Sequence, residues 1–250
     1  MHAIPGGPFK KEKALPPAVQ RNIEERYKLN DPLWKQYTDY MSNLIRGDLG
    51  PSFKYLGRSV NDIIRDGFPV SATLGAWAIL FALVVGVPAG IISALNQNRW
   101  QDNVVMAIAI IGVSVPNFVI ATLLMYVFAV KLRWLPVAMW GTPRHVILPM
   151  IALAGFPAAF FARLMRSSTL DVLSQDYIRT ARAKGLSWYA VVVKHVVKNA
   201  ILPVVTYLGP LIAGILTGSF VVENTFAIPG LGRYYVTRIY NRDYATIVGV

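Results

Sequence analysis

The sequence predicts an all-α, polytopic membrane protein, and three observations carry that prediction. The 250-residue chain is 54% hydrophobic, with only 15% charged residues and a mean hydropathy of +0.44. A soluble domain of this length carries about a quarter charged residues. The charges are also clustered: residues 69–95, 104–130, 146–162 and 200–222 contain no Asp, Glu, Lys, Arg or His. At ~1.5 Å rise per residue the longest of these runs reach ~40 Å, enough to cross a ~30 Å hydrocarbon core. No set of ~10-residue segments alternates in polarity, which excludes β-barrel spans. Four separate charge-free runs argue against a buried core in a soluble protein, and four membrane helices are expected. The third run is short and gains length if Arg163 snorkels at its end.

Composition narrows the function classes. With no cysteine there is no disulfide framework and no thiolate metal or redox site. A net charge of +12 is accounted for by cytoplasmic loops and anionic lipid, so no nucleic-acid partner is inferred. Met1–Phe9, "MHAIPGGPF", lacks the apolar core of a cleavable signal. No Gly-x-x-x-x-Gly-Lys-Ser/Thr motif occurs, so the chain is expected neither to bind ATP nor to be an enzyme. His145 and His195 have no partners at metal-ligand spacing, and neither a metal nor a cofactor is expected.

Residues 1–68 are mixed polar and nearly balanced in charge, with turns at Pro16-Pro17 and Asn30-Asp31-Pro32. Between them Val19, Ile23, Tyr27 and Leu29 recur at helical spacing. Trp34, Tyr37, Met41, Leu44 and Ile45 do the same, ahead of the breakers Gly47 and Gly50-Pro51. The segment therefore reads as a small cap of short helices. The spans then alternate with connectors at 96–103, 131–145, 163–199 and 223–243. Trp134 and Trp140 in the second connector fit an interfacial belt. Pro88, Pro116, Pro149, Pro157, Pro203 and Pro210 interrupt the spans.

Alternation places connectors 96–103 and 163–199 on one side, with eight Lys and Arg. Connectors 131–145 and 223–243 hold six on the other. The margin rests on the cluster in 163–199, which is expected in the cytoplasm, with residues 1–68 outside. An external N-terminal segment without a signal or preceding span lacks an export route, and the chain stops inside a new apolar run, Ala245–Val250. Both ends are expected to be cut.

The 163–199 connector contains "RTARAKG", Arg179–Gly185. In Thr169–Ala183 the residues Leu170, Leu173, Tyr177 and Ala181 recur on one face, with Ile178 beside them, which predicts one amphipathic helix. Asp171 near its start and Arg182 and Lys184 near its end suit the helix dipole. Gly185 is expected at the position after the C-cap, in the left-handed conformation. Ser187 is expected to cap a second helix, Trp188–Asn199, without a full capping box because Ala190 stands at N3. On pattern alone two readings stay open: an interfacial linker with snorkelling cations, or a docking element for a soluble partner.

At these residues the chain resembles a family. "DYIRTARAKGLS" followed by "HVVKNAILPVVTYLGP" is similar to the cytoplasmic signature loop of binding-protein-dependent ABC importer permeases. The similarity is greatest to their peptide and nickel branch, the subunit-B type of oligopeptide and dipeptide systems. Further matches are "GDLGPSF" (Gly47–Phe53), "GVSVPNFVIA" (Gly112–Ala121), "ARLMRSSTLDVL" (Ala162–Leu173), "GSFVVENTFAIPGLGR" (Gly218–Arg233) and "NRDY" (Asn241–Tyr244). The broad family pattern has Glu-Ala-Ala, three residues, then Gly. Here Arg179, Thr180 and Ala181 occupy the first three places and Gly185 the last, so Arg179 departs from the acidic residue.

The resemblance implies the type I ABC permease fold, with about four complete spans here out of the six of an intact member. It implies that residues 1–68 form an outer loop and that residues 69–250 are the permease domain containing the coupling loop 163–199. Tyr177, Arg179, Thr180, Ala181, Arg182, Ala183, Lys184, Gly185 and Leu186 would form the coupling element seated in an ATPase. The implied partners are a homologous second permease subunit, two cytoplasmic ABC ATPases, a periplasmic or lipid-anchored solute-binding protein, and membrane lipid. The implied location is the bacterial cytoplasmic (inner) membrane, and the implied solute is a peptide, with nickel or another small solute as the alternative. A secondary transporter driven by ions would need intramembrane carboxylates and an internal repeat, and neither is evident. A structural subunit whose basic connector only grips headgroups is a third reading.

Candidate pathway residues are polar groups inside the apolar runs: Asn117 beside Pro116, and Thr122, Thr206 and Thr217. Glu223, at the end of the last run, is a boundary residue expected to snorkel, to pair with Arg233 or to help gate. Pro229-Gly230 and Gly232 read as a turn.

Overall fold

A computed structural model describes residues 31–52, 57–241 and 243–249, with helices as its regular elements. The expected helix around Val19–Leu29 lies outside the described residues. Among the described residues, three helices are long and apolar enough to cross a membrane: α2 (Val60–Leu95), α5 (Pro143–Leu173) and the stretch Leu202–Thr225. The last comprises α9 (Leu202–Leu216) and α10 (Phe220–Thr225), joined at Gly218, whose φ is +103°.

α2 begins nine residues before the charge-free run. Ser59 and Asp62 form a reciprocal capping box, and Val60 and Ile63 are fully buried, so the polar start is anchored rather than frayed. Pro88, Pro149, Pro157 and Pro210 sit inside continuous helices, contrary to the expected interruptions, and Pro203 stands in the first turn of α9.

Pro116 does break its run. Without an N–H it cannot continue α3 (Trp100–Ser114), and it holds Val115 extended at φ −87°, ψ 125°. Its carbonyl then starts α4 (Asn117–Leu124) by accepting from Val119 and Ile120. A π-helical turn, Met125–Lys131, continues α4, and the two halves are bent by 108°. The expected span over 104–130 is thus a broken one.

The core is the pairing of α2 with α5, against which α3, α4 and α9 pack. Gly86 and Gly90 make that pairing possible. A Cβ on Gly86 would stand 3.1 Å from the Cβ of Phe161, and one on Gly90 would stand 2.7 Å from that of Met165. Small residues four apart let two membrane helices approach backbone to backbone, where dispersion and close packing replace the missing hydrophobic drive.

Hydrogen bonds between connectors divide them into the two groups that alternation requires. Asp102 binds Arg166, joining 96–103 to 163–199. The Met139 N–H donates to the Phe226 carbonyl at 2.9 Å, joining 131–145 to 223–243. The Ser52 hydroxyl donates to Asp243 at 2.5 Å, placing Ser52 with the second group. The bent pair starts in one group and ends in the other, as a broken span would.

α1 (Leu33–Ile45) forms as expected. It has no buried residue, and Trp34 and Ile45 are 69% and 83% exposed.

Candidate functional site

The basic connector is built on the C-terminal end of α5. The single helix expected over Thr169–Ala183 is two helices. α5 runs to Leu173, and α6 (Asp176–Ala183) starts after Gln175, which is extended. The cause is local. The Ser174 hydroxyl binds the Asp171 carbonyl at 2.7 Å and the Gln175 side-chain amide binds it at 3.2 Å, so side chains compete for the acceptor a continuing helix would need.

α6 ends as the glycine predicted. Gly185 has φ +82°, its N–H donates to the Arg182 carbonyl at 2.9 Å, and the Leu186 N–H reaches the Ala181 carbonyl at 3.4 Å. These are the two bonds of a Schellman motif. Ser187 then accepts from the Ala190 N–H at 3.3 Å and starts α7 (Trp188–Val191). A π-helical segment, Val192–Val197, and α8 (Lys198–Ala200) lead on to α9.

The seating of α6 differs from the expected face. Ile178 and Ala181 are buried, whereas Tyr177 is 43% exposed. Ile178 and Ala181 join Val191 and Val196 in a small cluster, with Val172 and Leu173 against it, distinct from the main core. α6 is therefore a short helix held by its own apolar patch. Tyr177, Arg179, Thr180, Arg182, Ala183, Lys184, Gly185 and Leu186 stay solvent-facing. Arg182 lies 5.2 Å from the Trp188 ring centroid, while Arg179 meets Asp176 at 3.4 Å with both side chains largely exposed, a contact worth little.

Behind this element stands a polar anchor that sequence reasoning missed. Asp102, on α3, accepts two bonds from Arg166 of α5, one from Ser93 of α2 at 2.5 Å and one from the Asn98 N–H at 2.9 Å. Asp102 is 2% exposed, so one carboxylate ties three spans together three turns or less from the end of α5. The Asp102–Arg166 pair was invisible in sequence because its members are 64 residues apart.

A second anchor lies at the opposite end of α2. Glu223 is fully buried, so it neither snorkels nor lines an open path in this structure. It accepts from the Ser71 hydroxyl at 2.8 Å and from the N–H groups of Ser219 and Arg233, both at 3.2 Å. The Arg233 guanidinium binds the Ala227 carbonyl, so the expected side-chain ion pair is replaced by backbone contacts. Ser71 also accepts from the Leu231 N–H, fastening α11 (Leu231–Asn241) to α2.

The remaining pathway candidates do not come together. Thr122 and Thr206 are exposed, and their hydroxyls bind the Phe118 and Leu202 carbonyls of their own helices. Thr217 does likewise with Ala213. Asn117 is half-buried beside exposed Pro116 at the bend.

Comparison with known proteins bears on this arrangement. The profile of the family described as "Binding-protein-dependent transport system inner membrane component" matches residues 86–250. The chain is 51% identical over 249 residues to the dipeptide transport system permease protein DppB of Bacillus subtilis, covering 100% of this chain and 81% of that one. It is 48% identical over 252 residues to the oligopeptide transport system permease protein OppB of Salmonella typhimurium, covering 100% and 82%. To the dipeptide permease protein DppB of Lactococcus lactis it is 39% identical over 248 residues, covering 99% and 82%.

Proposed function

The chain belongs to the family of binding-protein-dependent transport system inner membrane components, and from that premise we propose that it forms part of the pore of an ATP-driven peptide importer. Relatives named for dipeptide and oligopeptide systems support peptide over nickel as the solute. The proposed location is the bacterial cytoplasmic membrane, with the 163–199 connector inside and residues 1–68 outside, following the Lys and Arg bias.

The observation that carries this reading is α6 with its glycine stop. A short convex helix, seated only through Ile178 and Ala181, offers its other sides to a groove on a soluble partner. That partner is an ABC ATPase, one for each of two homologous permease subunits, and closure of the ATPases would move α6 as a rigid body with α5. A solute-binding protein would meet the outer face. The apolar surface of α9, the least covered of the spans with 11% of its apolar window buried, is the face proposed to meet the second permease and the path. Thr206 stands exposed there, and Pro116, Asn117 and Thr122 flank the bend as further candidates. The polar anchor at Glu223 would hold the outer end rather than line the path.

The test is Thr180→Arg combined with Lys184→Glu, two exposed positions on α6. Loss of ATPase co-purification and of ATP-driven peptide uptake in proteoliposomes is expected, with the chain still folded. Unchanged co-purification and uptake would reject the docking role.

A further inference from the structure

α6 has two flanks. At ~100° per residue, buried Ile178 and Ala181 mark the seated side, Arg179 and Arg182 follow on one flank, and Tyr177, Thr180 and Lys184 on the other. The arginine flank does not face open solvent alone. With the end of α2 and the last turn of α5 it lines a groove of about 510 Å³. Arg99, in the turn between α2 and α3, lines the same groove, so three guanidinium side chains share it. Its apolar walls include Leu95, Leu173 and Ile178, and Trp188 also lines it.

No carboxylate is among the lining residues. Three acids lie close by in sequence: Asp102 is held by Arg166 and Ser93, Asp171 is exposed beside Leu170, and Asp176 makes a weak exposed contact with the groove's own Arg179. The groove thus holds three guanidinium groups and no lining carboxylate, in a mixed polar and apolar lining. Its depth is set by the anchor. Ser93, Asp102 and Arg166 mark where α2, α3 and α5 leave the apolar runs, and Leu170 and Leu173 lie roughly 6–10 Å farther along α5. A headgroup layer is ~5–7 Å thick on each side, so Leu170 falls at its outer part.

We infer that this groove binds the phosphate headgroup of an anionic phospholipid. Guanidinium forks match the paired oxygens of a phosphodiester. The bound lipid joins the α2–α3 turn to α6, so it steadies the coupling element from the membrane side. The flank carrying Tyr177, Thr180 and Lys184 is left free for a protein. The inference rests on the membrane reading and on the shared side of connectors 96–103 and 163–199; it does not require that α6 dock an ATPase.

The experiment is native mass spectrometry of the full chain after incubation with equimolar phosphatidylglycerol and phosphatidylcholine. Retention of phosphatidylglycerol is expected to exceed that of phosphatidylcholine by about tenfold, the factor that one charge-assisted contact supplies. Arg99→Gln with Arg182→Gln should remove that preference. Lys194→Gln with Lys198→Gln, an equal charge loss on the same connector but outside the groove, should keep it. Equal retention of the two lipids by the unaltered chain, or equal loss in both double variants, overturns the inference. So does displacement by millimolar glycerol phosphate, which would make the ligand a soluble phosphate. A groove variant that keeps the lipid preference but loses co-purifying ATPase would assign the groove to the protein partner instead. Arg99→Gln alone, in an exposed turn, covers the case in which the double variant fails to fold.

Discussion

Asp102 and Arg166 meet in a two-point ion pair, Nε to Oδ1 and Nη2 to Oδ2, each at 2.7 Å. The carboxylate is buried and the guanidinium side chain is one-quarter exposed, so the pair is desolvated mainly on the acidic side. Removing the arginine leaves a buried charge with only Ser93 and the Asn98 N–H to satisfy it. Arg166→Met is therefore expected to cost on the order of 3 kcal/mol. Arg163→Met, at an exposed position three residues earlier, should cost far less. Thermal unfolding of the two variants in detergent, followed by tryptophan fluorescence, checks the ranking; equal melting temperatures would deny the pair its anchoring role.

The glycines of α2 make a second prediction. Gly90→Ala puts a methyl against the Ala162 carbonyl and 2.7 Å from the Met165 Cβ, so the α2–α5 pair must spread. Overpacking of this kind costs about 1–3 kcal/mol. Gly214→Ala on α9 meets nothing within 4 Å, and by helix propensity it should gain up to about 1 kcal/mol. Melting temperatures moving in opposite directions would support close backbone approach as the basis of the core pairing.

What the sequence made legible was local. Charge-free runs announced α2, α5 and α9, and the spacing of Gly185 and Ser187 announced two caps, because each of these signals lies within a few residues. The break at Pro116 was hidden because Pro88, Pro149, Pro157 and Pro210 carry the same letter inside unbroken helices. Asp102 and Ser71 gave no signal at all: their partners, Arg166 and Glu223, are 64 and 152 residues away. Gly86-x-x-x-Gly90, by contrast, was readable as a small-residue contact and was passed over.

At Gly185 the constraint is conformational rather than steric. Its φ is +82°, and an added Cβ would meet nothing within 4 Å. The penalty for a side chain is then the left-handed backbone itself, about 1–2 kcal/mol for an ordinary residue. Asparagine tolerates this region best after glycine, and a β-branched residue worst. Hydrogen exchange across residues 176–190 should therefore accelerate in the order Gly185→Asn, Gly185→Ala, Gly185→Val. Uniform acceleration in all three would point instead to a lost contact.

Ser71 and Glu223 set the last expectation. Ser71 donates to Glu223 and accepts from the Leu231 N–H at 2.9 Å, so one hydroxyl joins α2, α10 and α11. Ser71→Ala takes one of two donors from a buried carboxylate oxygen and leaves the Leu231 N–H without its acceptor, at a cost of about 1–3 kcal/mol for that unsatisfied group. Glu223→Gln fails for a different reason. The carboxylate faces only donors, from Ser71, Ser219 and Arg233, so the amide nitrogen of glutamine would turn a donor toward donors. Both variants should speed exchange of the Leu231 and Arg233 amides by tenfold or more, since each ~1.4 kcal/mol of lost protection is a factor of ten. The Gly185 amide, held by the separate α6 cap, should be unaffected. If the Leu231 amide exchanged at its original rate in Ser71→Ala, the hydroxyl would not be what fastens α11 to α2.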